Sequence, residues 1–356
     1  MIVAFTGLQQ SGKTTLFSAV SGKEPSPGKQ GSVDEAVVSV PDPRFKWLVD
    51  YYDPQKVTNA TIECLDLPGI DPLTSEGLAM SRRILGAARK ADMLALVIRA
   101  FDRDDGGDQD KKKGPLRDLE ILRGELLLAD LELVTTRIER LMKEVKKPSK
   151  FQQERKAELE VQVKLQEVLE DDRSASDADL SENELDIVRS LGLLTMKPVI
   201  AVFNTDDNRL GIDASEICGG DCPVTSIAIC AEIEKELPGL DDESRKEFMN
   251  ELGLEKSAAD LFVRTCYTAM GLISFLTVGE DEVRAWPVKK GTPALEAAGK
   301  IHSDIKRGFI RAETMSYGEL REFGDEKALR AAGKARLEGK EYVVRDGDII
   351  SFRFNV

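Results

Sequence analysis

The stretch Gly7-Leu8-Gln9-Gln10-Ser11-Gly12-Lys13-Thr14 has the form G-x-x-x-x-G-K-T and lies between an apolar run, MIVAFTG, and a helical pattern, KTTLFSAVSG. No other feature restricts the fold of this chain so strongly. A loop of this spacing turns its backbone N–H groups onto phosphate oxygens, and the following helix adds its positive N-terminal end. That requires a strand running into a loop and out into a helix, which is the context found here. Lys13 then sets a point charge on the β- and γ-phosphates, and the Thr14 hydroxyl is a Mg²⁺ ligand.

Two further elements follow in the order such a site needs. Asp66-Leu67-Pro68-Gly69 ends an apolar strand; there an Asp holds Mg²⁺ through water and the Gly69 amide approaches the γ-phosphate. Asn204-Thr205-Asp206-Asp207 follows the buried run PVIAVF. A carboxylate at Asp207 accepts two protons from a guanine edge, whereas adenine offers only its N6 amine, so Asp207 leans towards guanine. Thr205 stands where a lysine is usual in such a turn. Loop, acidic turn and base turn in this order favour a switch-type NTPase. A nucleotide kinase needs an arginine-bearing lid, and no arginine cluster is evident. After D-x-x-G the water-orienting Gln of many switch NTPases is replaced by Ile70, which cannot hydrogen-bond a water, so intrinsic hydrolysis is expected to be slow. The catalytic group is not identified by the sequence. His302, the sole histidine, lies far down the chain and reads as a structural or partner-contact residue.

The pattern around these motifs is α/β. TIECLDLPG, MLALVIRAF, KPVIAVFN and PVTSIAICA read as buried strands, alternating with helical segments such as SEGLAMSRRILGAARKAD; this predicts a parallel sheet. Residues 1–115 and 190–270 form the expected P-loop domain. Residues 116–189 are Leu-rich and densely charged, with Gly124, Leu128, Leu131, Val134, Ile138, Leu141 and Val145 at steps of three and four. Lys147-Pro148 breaks the run, and Val161, Leu165, Val168 and Leu169 mark a second helix, so an inserted helical hairpin is expected. Residues 271–356 read as a separate small α+β domain, with LISFLTV and VRAWPV as a strand pair, a helix at 293–301, and YVV and DIISFRFNV as closing strands.

Of 356 residues, 64 are Asp or Glu and 50 are Lys or Arg, giving a net charge of −14 that disfavours a broad grip on DNA or RNA. From Gly271 onward 15 basic residues meet 14 acidic ones, so this part is the candidate if RNA is met, and no DNA-specific binding is expected. No apolar run is long enough to span a membrane, and the start lacks a signal peptide's basic segment and cleavage site. Five scattered cysteines, without a disulfide framework, suggest a reducing, cytoplasmic setting, with Cys218 and Cys222 as two thiols of a surface loop.

With these residues in view, the chain resembles the Obg-like ATPases of the YchF family. VPDPRF, ADLELV, CAEIEKEL, EFMNELGLEKS, VRAWPV, AGKIHSDIKRGFIRAETMSYGEL and RLEGKEYVVRDGDIISFRFNV carry the resemblance nearly end to end. It implies a G domain with an inserted coiled-coil hairpin and a C-terminal TGS domain of ubiquitin-like shape. It implies Mg²⁺-dependent binding and hydrolysis of ATP, with GTP second, and association with the ribosome or RNA. By motif position, Gln10, Ser11, Gly12, Lys13, Thr14 and Thr15 line the triphosphate, Asn204 and Thr205 flank the base, and Phe101 packs near it or in the core. The family loop has Pro-Asn-Val where this chain has Gln9-Gln10-Ser11. The family's switch threonine is absent, leaving Ser32 as a stand-in Mg²⁺ ligand. Asp207 stands where Glu is more usual. A degenerate, non-hydrolysing binding module is the rival reading.

Overall fold

The apolar runs become strands because β-branched and aromatic side chains fill both faces of a buried sheet. The computed structural model describes residues 1–24, 33–101, 114–254 and 256–355. Its first sheet contains β1 (Ile2–Thr6), β2 (Asp34–Ser39), β4 (Thr61–Asp66), β5 (Met93–Arg99), β6 (Val199–Asn204) and β7 (Thr225–Ile229), in the spatial order β2-β4-β1-β5-β6-β7. From β4 to β7 every pairing is parallel. β5 is buried along almost its whole length, as expected of a strand covered on both faces. Helices α1 (Lys13–Ser21) and α3 (Ser75–Ala88) connect the strands.

Helices α4 (Gly114–Val145) and α5 (Gln152–Glu170) form a hairpin inserted between β5 and β6. The buried positions of α4 are Pro115, Leu119, Leu122, Leu126, Asp130, Val134, Ile138 and Leu141. The expected seam through Gly124 and Leu128 is therefore corrected: both are exposed, Leu128 by 57%. The sequence offers two leucine stripes, and the one chosen passes through a carboxylate. Fully buried Asp130 accepts hydrogen bonds from Arg89, from the Leu194 and Thr195 amides and from the Thr195 hydroxyl, at 2.6–3.0 Å. The stripe changes partner along its length. Leu119, Leu122 and Leu126 join the core of the sheet, whereas Val134 and Ile138 pack with Val161, Leu165 and Leu169 of α5.

The described residues group into two compact units, Met1–Val37 with Glu63–Phe262, and Val38–Ile62 with Val263–Val356. The expected boundary, with residues 1–115 in one domain, differs at Val38–Ile62. In the second unit β3 (Lys56–Thr58) runs parallel to β9 (Glu282–Lys289), and Arg44 at the start of α2 (Pro43–Tyr52) binds both Asp42 and Asp346 at 2.8 Å. The sheet of this unit has the order β11-β10-β12-β8-β9-β3, with β8 (Leu272–Thr277), β10 (Phe309–Ser316), β11 (Arg336–Glu338) and β12 (Asp348–Phe354). A helix, Ala294–Ile301, lays Ala294, Ala297 and Ala298 on Phe275, Phe309 and Ile350. The expected strand at Tyr342–Val344 is not one; Val343 makes an isolated bridge to Pro293, and the Tyr342 hydroxyl donates to Asp348 at 2.7 Å.

The two-thiol reading of Cys218 and Cys222 is also corrected, for the pair is a disulfide. Gly219 and Gly220, at φ 72° and 143°, let the chain reverse between them. Cys64, Cys230 and Cys266 are buried.

Candidate functional site

Parallel strands bring their C-terminal ends to one edge, and the crevice opens where the strand order reverses. Here that point is β1, flanked by β4 and β5. Thr6, Asp66, Asn204 and Ile229 close their strands at this edge, so the three sequence motifs converge there although they lie far apart along the chain.

The loop after β1 is shaped by backbone geometry. Gln10 is left-handed at φ 61° and Gly12 at φ 83°. A β-carbon on Gly12 would stand 2.0 Å from the Asn204 amide nitrogen, so no larger residue fits. Helix α1 begins at Lys13 with no side chain capping its first turn, which leaves its N–H groups to an anion. Ser11 and Lys13 are buried, Thr14 is exposed and Thr15 is half-buried. The Ser11 hydroxyl has no hydrogen-bond partner.

Lys13 and Asp66 form the polar centre. Burial pushes the Lys13 ammonium below its ordinary value, with the Asp66 charge opposing the shift. Burial pushes Asp66 up, opposed by a hydrogen bond from Thr14 and by the Lys13 charge. The Thr14 hydroxyl donates to Asp66 Oδ2 at 2.6 Å, while Asp66 Oδ1 is buried without a partner. Each charge thus lacks full compensation: an anion would satisfy the lysine, and a cation the carboxylate. Hard oxygen donors at Thr14 and Asp66 suit Mg²⁺. Ser32 lies outside the described residues.

The turn after β4 is clamped to the phosphate loop. Gln9 N donates to Ile70 O at 3.1 Å, and Ile70 N donates to Gly7 O at 2.9 Å. A β-carbon on Gly69 would stand 2.9 Å from Gln9 Cα, so this position too admits only glycine. The Ile70 side chain points into the core, 1% exposed, beside Leu65, Leu67 and Ile84.

A cavity of about 480 Å³ opens beside the loop, lined by Gly12, Thr15, Phe101, Asn204, Thr205, Asp206, Asp207, Cys230, Glu232 and Ile233. Asn204 is an architectural tie: its side chain donates to Ser11 O at 3.2 Å and accepts from Ala231 N at 3.1 Å. It leaves Asp207, which opens a short 3-10 turn, as a carboxylate on the cavity wall. Phe101 is half-buried on the same wall. Sequence reasoning missed Cys230, Glu232 and Ile233. Their signal was the run CAEIEKEL directly after β7, which brings α8 (Ala231–Glu234) to the same edge. His302 is an exposed N-cap in the second unit, accepting from Asp304 N at 3.2 Å. A larger cavity of about 590 Å³, lined by Arg123, Lys197 and Thr225 among others, lies by the first residues of β6 and β7, at the opposite strand ends.

The YchF-GTPase_C family model, described as a protein of unknown function (DUF933), matches residues 272–355. The chain is 37% identical, over an alignment of 368 positions, to the "Ribosome-binding ATPase YchF" of Bacillus subtilis (strain 168), covering all of both chains. It is 33% identical to "Obg-like ATPase 1" of Caenorhabditis elegans, covering 99% of this chain and 92% of that one. The solved YchF GTPase of Schizosaccharomyces pombe superposes with a TM-score of 0.82 at 32% identity, over 99% of this chain and 97% of that one.

Proposed function

We infer from its place in the YchF family of Obg-like ATPases, to which this chain belongs, that it is a P-loop nucleoside triphosphatase. It binds ATP or GTP with Mg²⁺, hydrolyses it slowly, and acts as a conformational switch in association with the ribosome or RNA. The observation that carries this reading is a set of polar groups under an uncapped helix: the partnerless Ser11 hydroxyl and Asp66 Oδ1, and the buried Lys13 ammonium, which donates to Leu8 O at 3.4 Å. Apolar packing alone would not bury the Ser11 hydroxyl and Asp66 Oδ1 without partners, because each costs about 1–3 kcal/mol.

The chain's own groups divide the work. Loop amides and Lys13 hold the β- and γ-phosphates and stabilise the charge that moves onto them as the terminal bond breaks. Thr14 and Asp66 would hold Mg²⁺, which supplies charge neutralisation between the phosphates. Gly69 lets the second turn approach the γ-phosphate, and the cavity at Asp207 and Phe101 receives the base. The partner surfaces are the hairpin and the C-terminal domain of TGS type, and the setting is the cytoplasm. A non-hydrolysing binding module is a second reading, favoured by the burial of Ile70 away from the site.

Calorimetric titration of wild type and Lys13→Ala with Mg·ATP and Mg·GTP tests the site. Wild type binds at least one, and Lys13→Ala loses affinity by at least a hundredfold. Equal affinity of the two proteins removes the site assignment. Turnover measured with and without ribosomes separates the readings, since absence of hydrolysis in both conditions leaves the binding module.

A further inference from the structure

Ile70 stands where a water-orienting amide is expected, and its side chain is sealed in the core. The same turn nevertheless has a carboxamide beside it. Gln9 is an exposed residue of the phosphate loop. Its backbone is held against the second turn by the bond from Gln9 N to Ile70 O, and the neighbouring Leu8 forms a parallel bridge with Ile70. Its stem lies along Gly69, for a β-carbon there would be 2.9 Å from Gln9 Cα and 3.1 Å from Gln9 Cγ. Gly69 is the residue whose amide approaches the γ-phosphate in this class of site. The Gln9 stem therefore starts against the turn that carries Gly69 and Ile70, within a side chain's length of the space that Ile70 cannot serve.

We propose that Gln9 is the catalytic residue that orients the attacking water, supplying from the phosphate loop the amide absent at position 70. The inference rests on the triphosphatase reading above. In the step, the water oxygen forms a bond to the γ-phosphorus while the bond from that phosphorus to the β–γ bridging oxygen breaks. The electron pair leaves on the nucleoside diphosphate, and the water's protons pass to the released phosphate and to solvent. Gln9 accepts a hydrogen bond from the water through Oε1 and donates one through Nε2, fixing the line of attack without itself gaining or losing a proton.

Single-turnover hydrolysis of Mg·ATP, with affinities for ATP and for ADP with aluminium fluoride, tests this in wild type, Gln9→Ala and Gln9→Asn. Gln9→Ala is expected to lower the rate constant on the order of 10²-fold with ATP affinity unchanged within about threefold. It is also expected to lose the tighter binding of the aluminium fluoride complex. Gln9→Asn, with its amide withdrawn by one methylene, is expected to show the same split. Retained ATP affinity also shows that each variant is folded. Wild-type rate and aluminium fluoride binding in both variants overturn the assignment while leaving the triphosphatase reading intact. A wild-type protein that binds Mg·ATP without hydrolysing it overturns the assignment and leaves the binding module. No binding by wild type defeats the underlying reading itself.

Discussion

Glu234 offers a test of how burial shapes this site. It ends α8, the short helix whose Glu232 and Ile233 line the cavity beside the loop, and it is 6% exposed. Its carboxylate accepts a hydrogen bond from the Ala258 amide, at the start of helix Ala258–Ala269, and Asp260 adds a like charge nearby. Burial, reinforced by Asp260 and only partly offset by the Ala258 amide, raises its pKa from 4.5 to about 7. At about 1.4 kcal/mol for each tenfold change in ionisation, the charged form costs the native fold about 3 kcal/mol. The native protein holds a proton that the unfolded chain releases first. Stability from this group is therefore complete below pH 4.5, declines as pH rises, and is lost above about 7. Glu234→Gln keeps the acceptor and removes the charge. Denaturant melts at pH 5 and pH 8 should show the variant near wild type at the lower pH and more stable by up to about 3 kcal/mol at the higher. An advantage of the same size at both pH values, or none at pH 8, would refute the claim that an uncompensated buried charge sits there.

Two further expectations concern the hairpin. Asp130→Ala removes a buried carboxylate that serves Arg89, Leu194 and Thr195, and should cost about 3–5 kcal/mol in a denaturant melt because Arg89 and two amides lose their partner. Gln162 in α5 is fully buried, and neither of its amide atoms has a hydrogen-bond partner. Gln162→Leu should raise stability by about 1–3 kcal/mol, read as a higher melting temperature with unchanged nucleotide affinity.

Much of the fold was legible because its signals are local. The apolar runs that became β1, β5 and β6 are short and pure, and the glycine after KTTLFSAVS is the left-handed cap of α1. What stayed hidden depends on pairing between distant segments. The three residues of β3 are too few to declare a strand, and it takes their parallel partner in β9, with ties such as Arg44–Asp346, to group Val38–Ile62 with the C-terminal unit. The α4 seam held at Val134, Ile138 and Leu141 but was misplaced at Gly124 and Leu128, because a helical pattern read by hydrophobicity rejects an aspartate. Asp130 is tolerated there only because four donors surround it, and none of them is visible from its own neighbourhood in sequence.

The site divides along the same line. The G-x-x-x-x-G-K-T loop is contiguous, so it can be read from eight residues, and the turns at Asp66 and Asn204 stand out because each closes an apolar strand. A missing group is likewise visible, since Ile70 is a single residue out of type. A substitute is harder to see, because it requires knowing what lies across from the gap. Once β1 pairs with β4 in parallel, with Phe5 opposite Asp66, both chains leave the sheet edge in the same direction. Four residues further on, Gln9 must pass close to Gly69 and Ile70. The register of one strand pair therefore converts an apparent deficit in the second turn into a question about the first, and it was invisible to a reading that took each motif alone.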